Sequence, residues 1–174
     1  MRNSLGPQLT SNFFLCSILF AALSAMGGEP PPQYPRVRGD FQMTQRWRVT
    51  LPDDYAKRFE KGKFGTDLVL WRAGVTCWTT IYNQKEGETP ETTYEWRKSN
   101  ASKDAVQIFE FRDSTPMRFG YLLHERPVDD PERWALYTFT FGDGGHVMMA
   151  IYFDREPDIE IAKKIWFSIA ETKE

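Results

Sequence analysis

Residues 133–153 have the sequence RWALYTFTFGDGGHVMMAIYF and carry the clearest structural signal in the chain. Two runs rich in β-branched and aromatic residues, 133–141 and 146–153, flank Gly142-Asp143-Gly144-Gly145. The glycines suit a tight reversal of the chain, so the stretch predicts a β-hairpin. A strand follows the glycines, whereas a phosphate-binding loop needs the amino terminus of a helix there. This loop is therefore interpreted as a turn.

More strands are predicted on the amino-terminal side of this hairpin. Trp47, Val49 and Leu51 alternate with polar residues until Pro52, which ends the first of these strands. The next residues, 53–65, predict a loop or a short helix. Further runs with the composition of strands are 66–72, 75–82, 106–111 and 117–125.

Two helices are predicted between and after these strands. Thr89-Pro90-Glu91 supplies a cap residue, a proline at the first helical position and an early acid, which predicts a helix over 90–99. A second helix opens at Pro157-Asp158. Its apolar residues recur at steps of three and four, and they are Ile159, Ala162, Ile165, Trp166 and Ile169. Such a stripe is typical of a helix packed on a sheet.

The order of these elements predicts an α+β fold with a largely antiparallel sheet of about six to seven strands. Several strands are apolar on both faces. In one strand, Leu68 and Leu70 point to one face and Val69 and Trp71 to the other. In another, residues 147–151 place apolar side chains on both faces. We therefore expect helices to cover both faces of the sheet.

Three stretches together suggest a family. They are Val49-Thr50-Leu51-Pro52-Asp53-Asp54-Tyr55, the strand end Tyr152-Phe153-Asp154, and a final helix with Ala162, Ile165 and Ser168. In this order of elements, most of residues 43–172 resembles the PsbP/Mog1-like α/β/α sandwich. The resemblance implies an architecture used mainly for binding and assembly, as in the extrinsic photosystem subunit and the Ran-binding Mog1 proteins. It implies no catalytic residues.

Residues 1–27 are predicted to be a secretory signal peptide. Arg2 is the only charged residue before Glu29, and an apolar run from Phe13 to Leu23 follows it. That run is shorter than the ~20 residues that a membrane-spanning helix needs, so we expect no transmembrane segment after processing. Ala25-Met26-Gly27 supplies the small residues of a cleavage site. The processed protein is expected to be secreted or periplasmic.

The remainder of the chain is predicted to be a spacer and one domain. Residues 28–42 form a Pro-rich spacer, because prolines lack the N–H that helices and sheets require. Residues 43–174 form a single α+β domain. The net charge is −2 and no basic block is present, so nucleic acid is not an expected partner. Cys77 is the only cysteine outside the signal peptide, which excludes an internal disulfide.

Cys77 with His124 or His146 is the candidate pair for nucleophilic catalysis, in which a histidine activates the thiol. Cys77 lies in the middle of a predicted strand, however, which favours a buried structural thiol. The two histidines are far apart in sequence, and the adjacent His124 and Glu125 point to opposite faces of a strand. No metal site and no cofactor are therefore predicted.

A binding surface is predicted from Trp78, Tyr82, Arg118 and His124. Trp78 and Tyr82 share the more polar face of their strand with threonines, and Arg118 and His124 are expected as their polar neighbours. The alternative is that the helix at 90–99 covers this face, with one of its aromatic residues packed on Trp78. Trp96 in that helix is a second tryptophan expected at the surface.

These features together favour an exported non-catalytic binding or assembly domain. It is expected to recognise a protein or glycan partner, in the envelope or extracellular space, through an aromatic surface. The alternative is a small cysteine-dependent hydrolase or transferase that uses Cys77 with His124 or His146.

Overall fold

The computed structural model of the protein describes residues 29–62, 65–126 and 131–172, so the predicted signal peptide lies outside it. The strands are β1 (Arg36–Gln42), β2 (Trp47–Gly62), β3 (Gly65–Arg72), β4 (Val75–Asn83), β5 (Gln107–Phe111), β6 (Met117–Glu125), β7 (Arg133–Gly142), β8 (Gly145–Phe153) and β9 (Ala170–Glu171). The α-helices are α1 (Pro90–Ser99) and α2 (Ile159–Ser168), and a 3-10 turn (Glu156–Asp158) leads into α2.

All strand pairs are antiparallel, in the order β1-β2-β3-β4-β8-β7-β6-β5, and β9 pairs with the start of β2. The hairpin predicted around residues 142–145 is confirmed as β7–β8, in which Trp134 pairs with Phe153 and Phe141 with His146. The two hairpins β3–β4 and β7–β8 lie side by side in the middle of the sheet, because β4 pairs with β8.

The expected covering of both sheet faces by helices is wrong. Strands make up 54% of the described residues and helices only 17%. The strand number is nine because residues 36–42 of the expected spacer pair with β2 as β1, and because residues 170–171 pair with its start as β9. Residues 53–62, expected as a loop or short helix, continue β2. Each α-helix has 10 residues. A helix of that length spans about 15 Å, whereas eight strands side by side span about 34 Å. One such helix is therefore too short to cover a whole face of the sheet.

Side chains of the sheet, together with Tyr34 just before β1, bury the second apolar face of β3. Val69 and Trp71 form a buried cluster against which Tyr34 and Trp78 pack. The ring of Tyr34 meets Trp71 edge-on at a centroid distance of 4.8 Å, and the guanidinium of Arg58 lies 4.9 Å from the centre of the Trp71 ring. Large side chains therefore cover this face of β3 in place of the expected helix.

The main core lies between the sheet and α2, on what we call the α2 face. Ala162, Ile165 and Trp166 are buried, which confirms the apolar stripe predicted for this helix. The sheet residues in the same cluster include Val49, Leu51, Leu70, Val75, Cys77, Leu136, Met149 and Ile151.

The opposite side of the sheet carries α1 and is called the α1 face. A capping box fixes the start of this helix: Thr92 N donates to Thr89 Oγ1 at 3.2 Å, and Thr89 N donates to Thr92 Oγ1 at 2.9 Å. Tyr94 packs on Phe119 and Phe141, with ring centroids 5.9 and 5.5 Å apart, so α1 lies over β6 and β7. No described helix is both long enough and apolar enough to span a membrane.

Candidate functional site

Beside α1, the α1 face is lined by aromatic and small side chains that we call the aromatic floor. It consists of Trp78, Tyr121, Leu123, Ala135, Tyr137, Ala150 and Tyr152. Trp78 pairs with Ala150, Ala150 with Tyr137, and Tyr137 with Tyr121, so the floor crosses four neighbouring strands. Opposed residues of antiparallel strands project to the same face. In the described part of the chain, α1 is the one α-helix on this face, and it covers the other half of β6 and β7.

Packing holds the rings of the floor in fixed positions. Tyr121 and Tyr137 stack at a centroid distance of 5.2 Å with an angle of 16° between their planes. Trp78 packs on the cluster around Trp71 on one side and on the cluster of Ala150 on the other. Trp78, Tyr121 and Tyr137 are all half-buried, so each ring combines a fixed orientation with accessible surface.

Glu125 and Arg133 form a polar corner at one end of the floor. Arg133 Nε donates to Glu125 Oε2 at 2.8 Å, and the two side chains are only 10% and 20% exposed for Arg133 and Glu125 respectively. The Tyr137 hydroxyl donates to Glu125 Oε1 at 2.8 Å and lies 3.3 Å from the Tyr152 hydroxyl. These hydrogen bonds fix the positions of the Tyr137 and Tyr152 hydroxyls, and the network places polar groups beside the aromatic rings.

The phenols of the floor are neutral at physiological pH. Burial raises the pKa of Tyr121 to about 12. It also raises the pKa of Tyr137, where the neighbouring Tyr152 and Glu125 add to the effect, and the pKa of Tyr152. Such hydroxyls donate and accept hydrogen bonds but do not serve as bases near neutral pH.

Tyr82, at the other end of β4, is covered by a side chain of α1. The rings of Tyr82 and His146 stack at 4.7 Å with an angle of 9°, and the guanidinium of Arg97 lies 4.9 Å from the centre of the Tyr82 ring. Arg97 Nη2 lies 2.8 Å from His146 Nε2. The pKa of His146 is lowered to about 3. The main cause is burial, and the charges of Arg97 and Lys85 add to the effect. The ring is therefore neutral, and its Nε2 accepts from Arg97.

The structure does not bring the four predicted binding residues together. Trp78 and Tyr82 lie on the α1 face, whereas the pairing register places Arg118 and His124 on the α2 face. Arg118 Nη2 donates to the carbonyl oxygens of Phe167 at 3.0 Å and Ile169 at 3.2 Å. It therefore stabilises the carboxyl end of α2, where a cation is favourable.

His124 also has structural partners. Its ring stacks on Trp134 at 4.2 Å with an angle of 5° between the planes, and its Nε2 lies 2.9 Å from Glu132 Oε1. The interpretation of Arg118 and His124 as polar neighbours of Trp78 is thus corrected. Glu125 and Arg133 are the charged residues that lie beside the floor.

The helix at 90–99 lies on the same face as Trp78, but it does not pack on it in the expected way. Tyr94 packs on Phe119 and Phe141, and Trp96 is 55% exposed. Trp78 is therefore partly covered by its neighbours in the sheet and partly accessible.

Cys77 lies in the main core and is fully buried. His146 projects from the opposite face of the sheet. His124 lies on the same face as Cys77 but three strands away, about 14 Å at the usual strand spacing. Burial raises the pKa of the Cys77 thiol to about 12. The geometry therefore gives Cys77 no histidine base.

We expect Cys77 to resist alkylation in the folded protein. With a pKa of about 12, about one thiol in 10,000 is ionised at pH 8, and the sulfur is also inaccessible. Treatment with iodoacetamide followed by peptide mass spectrometry should show modified Cys77 only after denaturation in urea. A Glu86→Cys variant, at an exposed position, supplies a thiol that reacts in the native state. Rapid native labelling of Cys77 would contradict its burial.

The residues that the sequence interpretation missed are Tyr121, Glu125, Arg133 and Tyr137. A usable signal was present in β7, where Tyr137, Phe139 and Phe141 alternate with threonines. That alternation identifies one strongly aromatic face, but it does not show which residues of other strands join it.

No protein-family model, no curated protein and no solved structure matches this chain. The comparisons therefore neither support nor contradict the resemblance to the PsbP/Mog1-like family. Among the described residues, no group of three or more His, Cys, Asp and Glu side chains is placed to hold a metal ion.

Proposed function

We propose that this chain is an exported, non-catalytic binding or assembly domain that recognises a protein or glycan partner through the aromatic floor. The observation that carries this proposal is the set of half-buried rings of Trp78, Tyr121 and Tyr137 on one sheet face. Tyr121 borders the cluster beneath α1, whereas Trp78 and Tyr137 pack in clusters of sheet residues beyond it. The amino-terminal sequence supports export.

The chemistry of the floor suits recognition. Rings that are already held by packing lose little conformational entropy when a ligand covers them, and they bring a large contact area. The Tyr137 hydroxyl and the Glu125–Arg133 pair supply hydrogen-bonding groups at fixed positions. Glu125 and Arg133 have opposite charges, so this end of the floor favours an uncharged or mixed polar ligand over a phosphate.

The raised pKa values of the ionisable groups at the site support the non-catalytic interpretation. The tyrosines of the floor have raised pKa values, and Cys77 is buried away from both histidines. Neither histidine that the catalytic alternative names is therefore placed to activate the Cys77 thiol.

We expect Trp78→Ala to weaken binding at least about 30-fold while the domain still folds. Truncating a central tryptophan of a binding surface costs about 2 kcal/mol or more of binding free energy, a loss of about 30-fold. Because Trp78 is only half-buried, the change should cost about 1–2 kcal/mol of stability. The wild type and the variant are screened on a glycan array and against envelope or culture-medium proteins of the source organism, with thermal melting recorded for each.

Trp96→Ala is the matched control, because it removes a tryptophan that is 55% exposed on α1 and outside the floor. The expected result is a ligand that the wild type and Trp96→Ala bind and that Trp78→Ala loses. Binding that survives Trp78→Ala unchanged would place the recognition surface elsewhere. A Trp78→Ala protein that is unfolded at the assay temperature would show that this ring is part of the core.

A further inference from the structure

Arg97 of α1 holds its guanidinium over the sheet at the border of the aromatic floor. The guanidinium lies 4.9, 4.7 and 5.0 Å from the ring centres of Tyr82, Trp96 and Phe139 respectively. Its Nε and Nη2 donate to Nε2 of His146 at 3.2 and 2.8 Å. Three rings and one hydrogen-bond acceptor therefore fix the position of this cation.

The charge of Arg97 has no carboxylate partner among the described residues. The charge of Glu88 acts on it from a distance, but the carboxylate of Glu88 lies 4.0 Å from Lys85 Nζ. Arg97 is half-buried, and burial lowers its pKa, although a guanidinium remains charged at neutral pH. An anion in contact with Arg97 would replace the water that burial removes from this cation.

The cation stands next to the floor. Tyr137 of the floor precedes Phe139 by two residues on β7, so the two rings project to the same face about 7 Å apart along the strand. The ring of Tyr121 lies 6.5 Å from that of Phe139. Burial raises the pKa of Tyr121, and the charge of Arg97 opposes this rise. A ligand on the floor therefore comes within reach of Arg97.

The floor has features that suit a sugar better than a protein surface. Its rings are half-buried, and none of them is among the exposed large apolar side chains of the described residues. The Tyr137 hydroxyl and the Glu125–Arg133 pair lie at the edges of the rings. Protein interfaces, in contrast, have apolar centres that are depleted of charge. A pyranose has a face of C–H groups that stacks on aromatic rings and a rim of hydroxyls that bond to polar groups.

The free edge of the Arg97 guanidinium selects a carboxylate. The bonds to His146 use the Nε–Nη2 edge, so the edge formed by Nη1 and Nη2 still presents two parallel N–H groups. Such an edge binds a carboxylate through two hydrogen bonds of about 2.8 Å. In a hexuronate the carboxylate is attached directly to the sugar ring. A sulfate ester is attached through a further rotatable bond, so ordering it costs more.

We propose that the aromatic floor binds an acidic glycan, and that Arg97 pairs with the carboxylate of a hexuronate stacked on the floor. This inference rests on the proposed function, because it needs the floor to be the recognition surface, and it names the class of ligand. The Glu125–Arg133 pair then exchanges hydrogen bonds with hydroxyls of the same sugar chain.

Titration calorimetry with matched oligosaccharides tests the class of ligand. The probes are oligosaccharides of galacturonate, mannuronate and glucuronate, and the same chains after carboxyl reduction, in which each carboxylate has become a neutral CH2OH group. The wild type should bind at least one uronate probe, and its reduced form at least about tenfold more weakly. Binding to none of the uronate probes, equal binding of both forms, or binding to polyglutamate instead would overturn the proposal.

Variants of Arg97 test the contact itself. Arg97→Gln should weaken binding of the uronate probe at least about tenfold and leave that of the reduced probe unchanged, because both changes remove the same ion pair. Arg97→Lys keeps the charge without the paired donors and should lose less. Arg112→Gln is the matched control, since it removes a 59% exposed arginine outside the floor. Thermal melting shows that each variant is folded.

The outcomes separate this inference from the proposed function. Binding that Trp78→Ala loses and Arg97→Gln keeps would support the floor as the recognition surface and overturn the pairing with Arg97. Uronate binding that Arg97→Gln loses and Trp78→Ala keeps would overturn both, because the ligand would then not lie on the floor. The Trp96→Ala control leaves the other two rings and the bond to His146 around Arg97, so it should bind the uronate probe like the wild type.

Discussion

Trp166→Ala is expected to lower the free energy of unfolding by about 3–5 kcal/mol, the usual cost of truncating a buried large aromatic residue. Trp166 is fully buried in the last turn of α2, and its ring contacts Phe109 and Phe111 edge-on at centroid distances of 6.2 and 5.8 Å. A loss of this size is a large share of the 5–15 kcal/mol that typically stabilises a domain. Urea unfolding followed by circular dichroism measures it.

Two further variants sharpen this experiment. Trp166→Phe keeps most of the apolar volume and removes an indole N–H that has no hydrogen-bond partner among the described residues, so its cost should be clearly smaller. Trp96→Ala removes an exposed tryptophan and should change stability by less than about 0.5 kcal/mol. A Trp166→Ala protein that melts like the wild type would mean that α2 is not packed on the sheet as described.

The approach of Trp166 to the sheet depends on a glycine. A Cβ atom at Gly120 would lie 2.9 Å from Cη2 of Trp166 and 3.0 Å from the carbonyl oxygen of Tyr137. A side chain at this position therefore has no room unless the indole or the neighbouring strand moves. Gly120 is what lets the largest side chain of α2 lie directly on β6.

The second large effect is a pH dependence due to His146. The pKa of His146 is lowered from 6.5 to about 3 in the folded protein, because the ring is buried and faces the charge of Arg97. Below pH 6.5 the unfolded chain takes up a proton that the folded protein does not. The free energy of unfolding should therefore fall as the pH is lowered from about 6.5 towards 3, by up to about 1.4 kcal/mol per unit from this group. Above pH 6.5 the contribution of His146 to stability is fully present.

Urea unfolding at several pH values between 3 and 7 measures this slope. His146→Gln keeps a side-chain acceptor for Arg97 but does not titrate, so its slope should be shallower than that of the wild type. His124→Gln, which removes the other histidine, is the control. Equal slopes for the wild type and His146→Gln would show that His146 is not held neutral in the folded protein.

The local pattern of the sequence was enough to predict most of the strands and both helices. Alternation predicts β7 and β8, glycines predict the turn between them, and Thr89 with Pro90 predicts the start of α1. These signals work because strand and helix periodicities and caps depend on neighbours in the chain. Residues 53–62 were not predicted as strand, because their mixed charge shows no alternation; pairing with β3 extends β2 through them.

The sequence alone also predicted a binding surface made of aromatic residues, and it singled out Trp78. It did not show which residues stand beside Trp78. Alternation divides each strand into two sets of side chains, but only the pairing between strands joins the set of one strand to that of another. That pairing places Trp78 with Tyr137 and Tyr121, and it sends Arg118 and His124 to the opposite face. The tertiary structure therefore decided the composition of the site, because contacts between distant parts of the chain leave no local trace in the sequence.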